Sequence, residues 1–359
     1  MKFKSLTFLV FCVTFGWLTQ TIVYSQALNS RSATASAYME RGNEWLKKGE
    51  LERAIADYGL AIAVDGSSAL AYYNRGVARQ QKGDLVDALG DYNRAIELDA
   101  NYFDAYNNRG NIYHTQGHDD LAINDFSRVI QINPRVTVGW INRGLALSDQ
   151  GNFAAAIADF DQAIKLSKRD AEVWSHRCYA RYRQGGLDAA ISDCSQAIKL
   201  DSRHESAWTC RGLARQEKGD VEGAFDDFNQ AIAIAPQQAY LYSNRGRAWL
   251  VSRNNPERAL VDFNQALQLD PTSCDAWVFR GTAWFDKRDY AKAIADFDEA
   301  LKLNPFRAEA YCNRGVARLL QGKLDEAEAD VARCRASGGA LKESAEKLLM
   351  EMKHKQTPK

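Results

Sequence analysis

From Phe103 to Val136 the apolar residues fall into two helical stripes with a glycine between them. Tyr106, Ile112 and Tyr113, with Gly110 on the same side, predict a helix from Phe103 to about Gln116, and Gly117 ends it. Leu121, Ala122, Phe126, Val129 and Ile130 form a second stripe through about Ile132. Asp119 or Asp120 is the expected cap of this second helix, and Asn133-Pro134 closes it. Connections of a few residues force the two helices antiparallel.

The same stretch recurs along the chain. An Arg followed by a small residue stands at Arg41, Arg75, Arg109, Arg143, Arg177, Arg211, Arg245, Arg280 and Arg314, at a spacing of 34 residues with one step of 35. A period of this size means stacked supersecondary units sharing one core. Nine units follow: residues 35–68, 69–102, 103–136, 137–170, 171–204, 205–238, 239–273, 274–307 and 308–341. Numbering places from the start of each unit, the fourth is always aromatic (Tyr106, Trp140, Trp174) and the twentieth always Ala (Ala122, Ala156, Ala190). Both places read as core, with Gly at the eighth and Ala at the twentieth letting the two backbones approach. Repeat seven carries the extra residue in Ser252-Arg253-Asn254-Asn255-Pro256, where Asn255 suits a cap and Pro256 a first helical position. The insertion is expected to stay in the loop. Residues 342–359 predict a capping helix and tail, with Leu341, Ala345, Leu348, Leu349 and Met352 on one side.

This pattern of aromatic, Gly, turn, Ala, aromatic, Ala and Pro resembles the tetratricopeptide repeat. The resemblance implies an all-α, right-handed superhelical solenoid of antiparallel helix pairs, with the first helices lining a concave face. Pro closes only four units, at Pro134, Pro236, Pro271 and Pro305. The seventh place is usually Leu in that family and is Arg in every unit here. The twenty-third is always Asp: Asp57, Asp91, Asp125, Asp159, Asp193, Asp227, Asp262, Asp296 and Asp330. The two places stand at similar heights on facing helices, so a ladder of charge-assisted Arg–Asp bonds is expected, within repeats or between neighbours. An acid at equal dose argues against anion binding by these arginines.

On the first helices the second, fifth, sixth, ninth and twelfth places are expected to face the groove. The sixth is Asn at Asn74, Asn108, Asn142, Asn244 and Asn313, and repeat three adds Asn107 and Asn111. Amides both donate and accept, so such a row can hold the backbone of an extended peptide. It is similar to the asparagine ladder of O-linked GlcNAc transferases, with breaks at Glu40, His176, Cys210 and Phe279. Tyr179, Tyr182, Phe279 and Phe285 are candidate side-chain pockets. The carboxylate clamp of chaperone-binding relatives would need several cations on this face. Arg247 is nearly alone there.

The remaining features bound the function. Lys2 and Lys4 precede an apolar run from Leu6 to Leu18, followed by small residues at Ser25 and Ala27, the order of a secretory signal peptide over residues 1–25. Retention as a membrane anchor is the alternative, and residues 26–34 read as a linker. Six cysteines remain beyond Cys12. Cys178 replaces the close-approach Gly and Cys194 the facing aromatic, which suggests a disulfide, with Cys210 as rival partner for Cys194. Cys312 and Cys334 read as packed thiols. His114 and His118 superficially resemble metal ligands, but Gly117 breaks the helix between them. Lys plus Arg and Asp plus Glu both number 46, so nothing favours nucleic acid. No catalytic motif, metal or cofactor is expected. These features point to an exported, secreted or periplasmic, non-catalytic scaffold binding another protein or an extended peptide in the groove. A membrane-anchored scaffold organising an envelope complex through outer or terminal surfaces is the alternative. Oligomeric state stays open.

Overall fold

The computed structural model describes residues 32–356, and all regular secondary structure among them is helical. The chain divides at Lys168 and Arg169 into two compact units. The first holds α1 (32–47), α2 (Leu51–Val64), α3 (Ala69–Lys82), α4 (Leu85–Leu98), α5 (Phe103–Thr115), α6 (Asp119–Ile132), α7 (Thr137–Asp149) and α8 (Phe153–Leu166). The second holds α9 (Ala171–Arg183), α10 (Leu187–Leu200), α11 (Glu205–Lys218), α12 (Val221–Ile234), α13 (Ala239–Arg253), α14 (Pro256–Leu269), α15 (Cys274–Asp286), α16 (Tyr290–Leu303), α17 (Ala308–Leu320), α18 (Leu324–Ala336) and α19 (Glu343–Gln356). In each unit odd and even helices pair as antiparallel hairpins, and each second helix packs on the next first helix. Both units are therefore all-α arrays of stacked helix pairs. The expected signal segment and residues 26–31 of the linker lie outside the described residues. Residues 32–34, also read as linker, are already helical.

Local chemistry sets the helix ends. Gly117, at φ +75°, turns α5 into α6 in the left-handed region that glycine enters without a Cβ penalty. Neither Asp119 nor Asp120 caps α6. Its N-cap is His118, and both acids lie in the first turn, favoured there by the helix dipole. In repeat seven the extra residue does not stay wholly in the loop: α13 lengthens to 15 residues and Asn254 takes the left-handed turn at φ 46°. The Asn255 side chain accepts from the Arg258 N–H, and Pro256 opens α14.

The core follows from one recurring fit. A Cβ added at Gly110, Gly144, Gly212, Gly246 or Gly281 would come within 2.7–2.8 Å of the ring at the twenty-fourth place. Those rings, including Phe126, Phe160, Phe228, Phe263 and Phe297, are the largest side chains shut away from solvent. The missing Cβ thus makes the slot into which the partner helix inserts its ring. Beyond α18, α19 seats Leu349 against Leu319, Leu324 and Val331, covering the apolar side of the last hairpin.

Candidate functional site

Every repeat forms the Arg–Asp pair. Arg41–Asp57, Arg75–Asp91, Arg109–Asp125, Arg143–Asp159 and Arg177–Asp193 are bridged by two or more hydrogen bonds from guanidinium to carboxylate. Arg211–Asp227, Arg245–Asp262, Arg280–Asp296 and Arg314–Asp330 are bridged in the same way. All nine carboxylates are buried. The planar fork supplies parallel donors, which is why Arg rather than Lys suits this place. The third nitrogen reaches the preceding repeat: Arg143 NH1 donates to Ser127 Oγ at 3.0 Å and Arg245 NH1 to Asn229 Oδ1 at 2.7 Å. Each guanidinium also lies over the aromatic ring at the fourth place, 4.7 Å from its centre at Arg177–Trp174, Arg211–Trp208 and Arg280–Trp277. That contact lies three residues away on the same helix face, yet sequence reasoning read those aromatics as core alone. The balance of forces differs along the row. The hydrogen bond from half-exposed Arg41 holds Asp57 below the usual carboxylate value, whereas burial raises Asp296 against the pull of Arg280.

Each arginine is thus committed to its aspartate, with only Arg41 of the first repeat largely open to solvent, and the surface left for a ligand is the first-helix side. First helices of successive repeats touch directly, α5 with α7 in the first unit and α9 through α17 in the second. No two second helices come as close among the described residues.

The groove residues are half-buried except Tyr179, which is exposed. In the first unit the amides bond to one another. Asn74 Nδ2 donates to Asn43 Oδ1 at 3.2 Å, Asn108 Nδ2 to the Tyr73 hydroxyl at 3.2 Å, and Asn142 Nδ2 to Asn107 Oδ1 and Asn111 Oδ1 at 2.9 and 3.1 Å. These donors stitch neighbouring first helices together and are not free for a peptide backbone. In the second unit Asn244 and Asn313 make no side-chain hydrogen bond among the described residues. Tyr182 donates its hydroxyl to Glu217 at 2.6 Å and Tyr179 accepts from Arg183 at 2.6 Å. Phe279 stacks with Phe263 at 6.1 Å, and the Arg247 guanidinium lies over its ring at 5.8 Å. His114 is engaged by Asp119 at 2.8 Å and Asp149 at 3.5 Å, while His118 is exposed and takes no part.

Two disulfides occur among the described residues, both in the second unit. Cys178–Cys194 joins α9 to α10 with Cα atoms 5.4 Å apart. Cys312–Cys334 joins α17 to α18 at 5.1 Å, although both residues read from sequence as packed thiols. Their separation of 22 residues departs from the 16 between Cys178 and Cys194, because Cys334 lies near the end of its helix and Cys312 near the start of the facing one. Cys210 stays free, with its sulfur 3.3 Å from that of Cys178.

A cavity of about 560 Å³ lies at the last repeats, between α15, α17 and the segment 339–345. Phe285, Phe297, Val316 and Leu341 supply apolar walls, and Asp286, Glu309, Asn313 and Lys342 supply the polar groups.

Sequence profiles of the repeat match in tandem. One described as TPR repeat covers residues 42–83 and 79–117. Two described as tetratricopeptide repeat cover 103–136, and 141–205, 177–239, 250–307 and 280–340. The chain belongs to the tetratricopeptide-repeat family. Solved structures similar to this tetratricopeptide-repeat protein include one from Parabacteroides merdae, at 20% identity and TM-score 0.58, over 70% of this chain and 99% of that one. The APC/C hetero-tetramer Cut9-Hcn1 aligns at 16% identity and TM-score 0.60, over 89% of this chain and 76% of that chain. Pseudomonas aeruginosa pilF aligns at 20% identity and TM-score 0.50, over 58% and 94%. These likenesses share the fold. No curated protein matches the sequence.

Proposed function

We propose that this tetratricopeptide-repeat protein is an exported, non-catalytic scaffold that takes another protein, as an extended segment, along the first-helix side of its second unit. The observation that carries this is the contrast between the units. In the first, the row of asparagines is internally bonded. In the second, Asn244 and Asn313 keep both amide groups available on a wall of directly touching first helices. A peptide backbone offers alternating N–H and C=O groups, and an amide satisfies one of each. The repeats occupy most of the chain with packing and ladder residues, which leaves no nucleophile–base pair among the groups described above. The family fold likewise supports a protein-interaction role, of the kind an APC/C assembly containing Cut9 and Hcn1 represents.

Selection of a displayed random-peptide library on the immobilised protein tests this. Synthetic versions of the selected peptides should bind in fluorescence anisotropy and weaken about tenfold or more with the Asn244→Ala, Asn313→Ala double variant, two charge-free hydrogen-bonding groups being lost. An empty selection, or peptides indifferent to both amides, would sink the reading. Terminal sequencing of the mature protein from the exported fraction tests the localisation: a start at Gln26 or Leu28 is expected, and a chain retained in the membrane with its first residues intact counts against it.

A further inference from the structure

The cavity at the end of the second unit goes beyond that reading and rests on it. Its volume of about 560 Å³ is in the range that holds a ligand group. Phe285, Val316 and Leu341 make its walls mainly apolar, so a large apolar side chain would be desolvated there. Thr282, Asn313 and Val316 belong to the first-helix places that face the groove, which ties the cavity to the same surface. Asn313, with no internal partner, stands beside it to hold a backbone amide. The edge is unevenly charged. Glu309 is held by Arg307 at 3.2 Å, while Asp286 makes no salt bridge among the described residues and feels Lys342, the single cation of the lining, only from farther off. We propose that this cavity anchors an aromatic or large aliphatic side chain of the bound polypeptide, followed or preceded by a Lys or Arg whose charge meets Asp286. Partial burial outweighs the pull of Lys342 and holds the Asp286 carboxyl above its ordinary value.

The probes are three labelled ten-residue peptides of Gly and Ser carrying a central Phe-Lys, Phe-Glu or Ser-Lys. Phe-Lys should bind best, with Ser-Lys weaker by at least about tenfold through the lost ring. Phe-Glu should be weaker by about three- to fivefold through the charge. Asp286→Asn, an exposed change that leaves the packing alone, should abolish the Lys preference and keep the Phe preference. Thr282→Phe, which fills the cavity without removing a core residue, should abolish the Phe preference. Equal binding of the three peptides, or indifference to both variants, overturns the anchor. If library peptides then still depend on Asn244 and Asn313, the groove reading stands and the cavity proposal alone falls. If no peptide binds at all, both fall.

A separate observation carries a second inference. The sulfurs of Cys178, Cys194 and Cys210 lie within 4.8 Å of one another, all three buried, with Cys210 in contact with one end of the bridge. We infer that the bridge exchanges internally. The Cys210 thiolate attacks the Cys178 sulfur, a Cys178–Cys210 bond forms as the Cys178–Cys194 bond breaks, and Cys194 leaves as thiolate and takes up the proton that Cys210 released. No net oxidation occurs. The staple then joins α9 to α11, two first helices, rather than α9 to α10, and fixes the groove wall between repeats five and six. Burial pushes the Cys210 thiol up to about 12, so exchange should quicken as pH rises. Folded protein held at pH 7 and at pH 9, quenched in acid, unfolded, alkylated and peptide-mapped should carry label on both Cys210 and Cys194, reached sooner at pH 9. Cys210→Ser should leave Cys194 unlabelled. Label confined to the two unbridged cysteines of the described residues, Cys210 and Cys274 at the start of α15, at every time and pH overturns the exchange.

Discussion

Arg143 holds Asp159 through two parallel hydrogen bonds, Nε to Oδ2 at 2.7 Å and NH2 to Oδ1 at 2.8 Å, while its third nitrogen reaches Ser127 of the preceding repeat. The guanidinium also lies over Trp140 at 5.2 Å. One side chain thus joins the two helices of a hairpin, packs on its own helix and tethers the preceding repeat. Removing the acid leaves a largely covered cation without its counter-charge. Asp159→Ala should therefore cost about 3 kcal/mol in denaturant unfolding. Replacing the pair together, as Arg143→Met with Asp159→Leu, should cost less than that single change, because no buried charge is stranded. An unchanged midpoint for Asp159→Ala would refute the structural role of the ladder.

Two helical glycines should respond in opposite directions to alanine. Gly90 in α4 has nothing within 4 Å of an added Cβ, so Gly90→Ala should stabilise by up to about 1 kcal/mol through helix propensity. At Gly144 the same atom would stand 2.7 Å from the buried Phe160 ring. Overpacking of about 1–3 kcal/mol outweighs the propensity gain there, and Gly144→Ala should lower the melting temperature.

His176 sits in α9 near Glu172, and burial lowers its pKa below the ordinary value of 6.5. The folded state therefore binds fewer protons than the unfolded chain between that lowered value and 6.5. Stability is unaffected by this group above 6.5 and falls as pH drops through the window. Melting curves recorded from pH 7.5 to 5 should show this slope, and His176→Gln should remove its share. Equal slopes for the two proteins would contradict the assignment.

The cap on the array is a testable contact. Leu349 of α19 is buried against Leu319, Leu324 and Val331. Leu349→Ala should destabilise the final hairpin by about 2–3 kcal/mol. Hydrogen exchange should quicken in α17, α18 and α19 and leave the first unit unaltered; quickening spread over the whole chain would mean the loss is not local.

The helix pairs, their lengths and their stacking were legible in the sequence because each repeat writes the same apolar stripes, and a short turn permits only an antiparallel return. The Arg–Asp pairing was legible for the same reason, since places seven and twenty-three recur with no exception. What the repeat could not carry was decided in three dimensions. Whether Asn108 and Asn142 are free or stitched to Tyr73, Asn107 and Asn111 depends on how closely neighbouring first helices approach. The Cys312–Cys334 bridge depends on a crossing of α17 and α18 that residue spacing does not fix. The cavity beside Asn313 exists because the segment after α18 folds back over α15 and α17, where the period has already ended. Periodicity determines what every repeat shares; packing between non-identical neighbours determines which polar groups are left open.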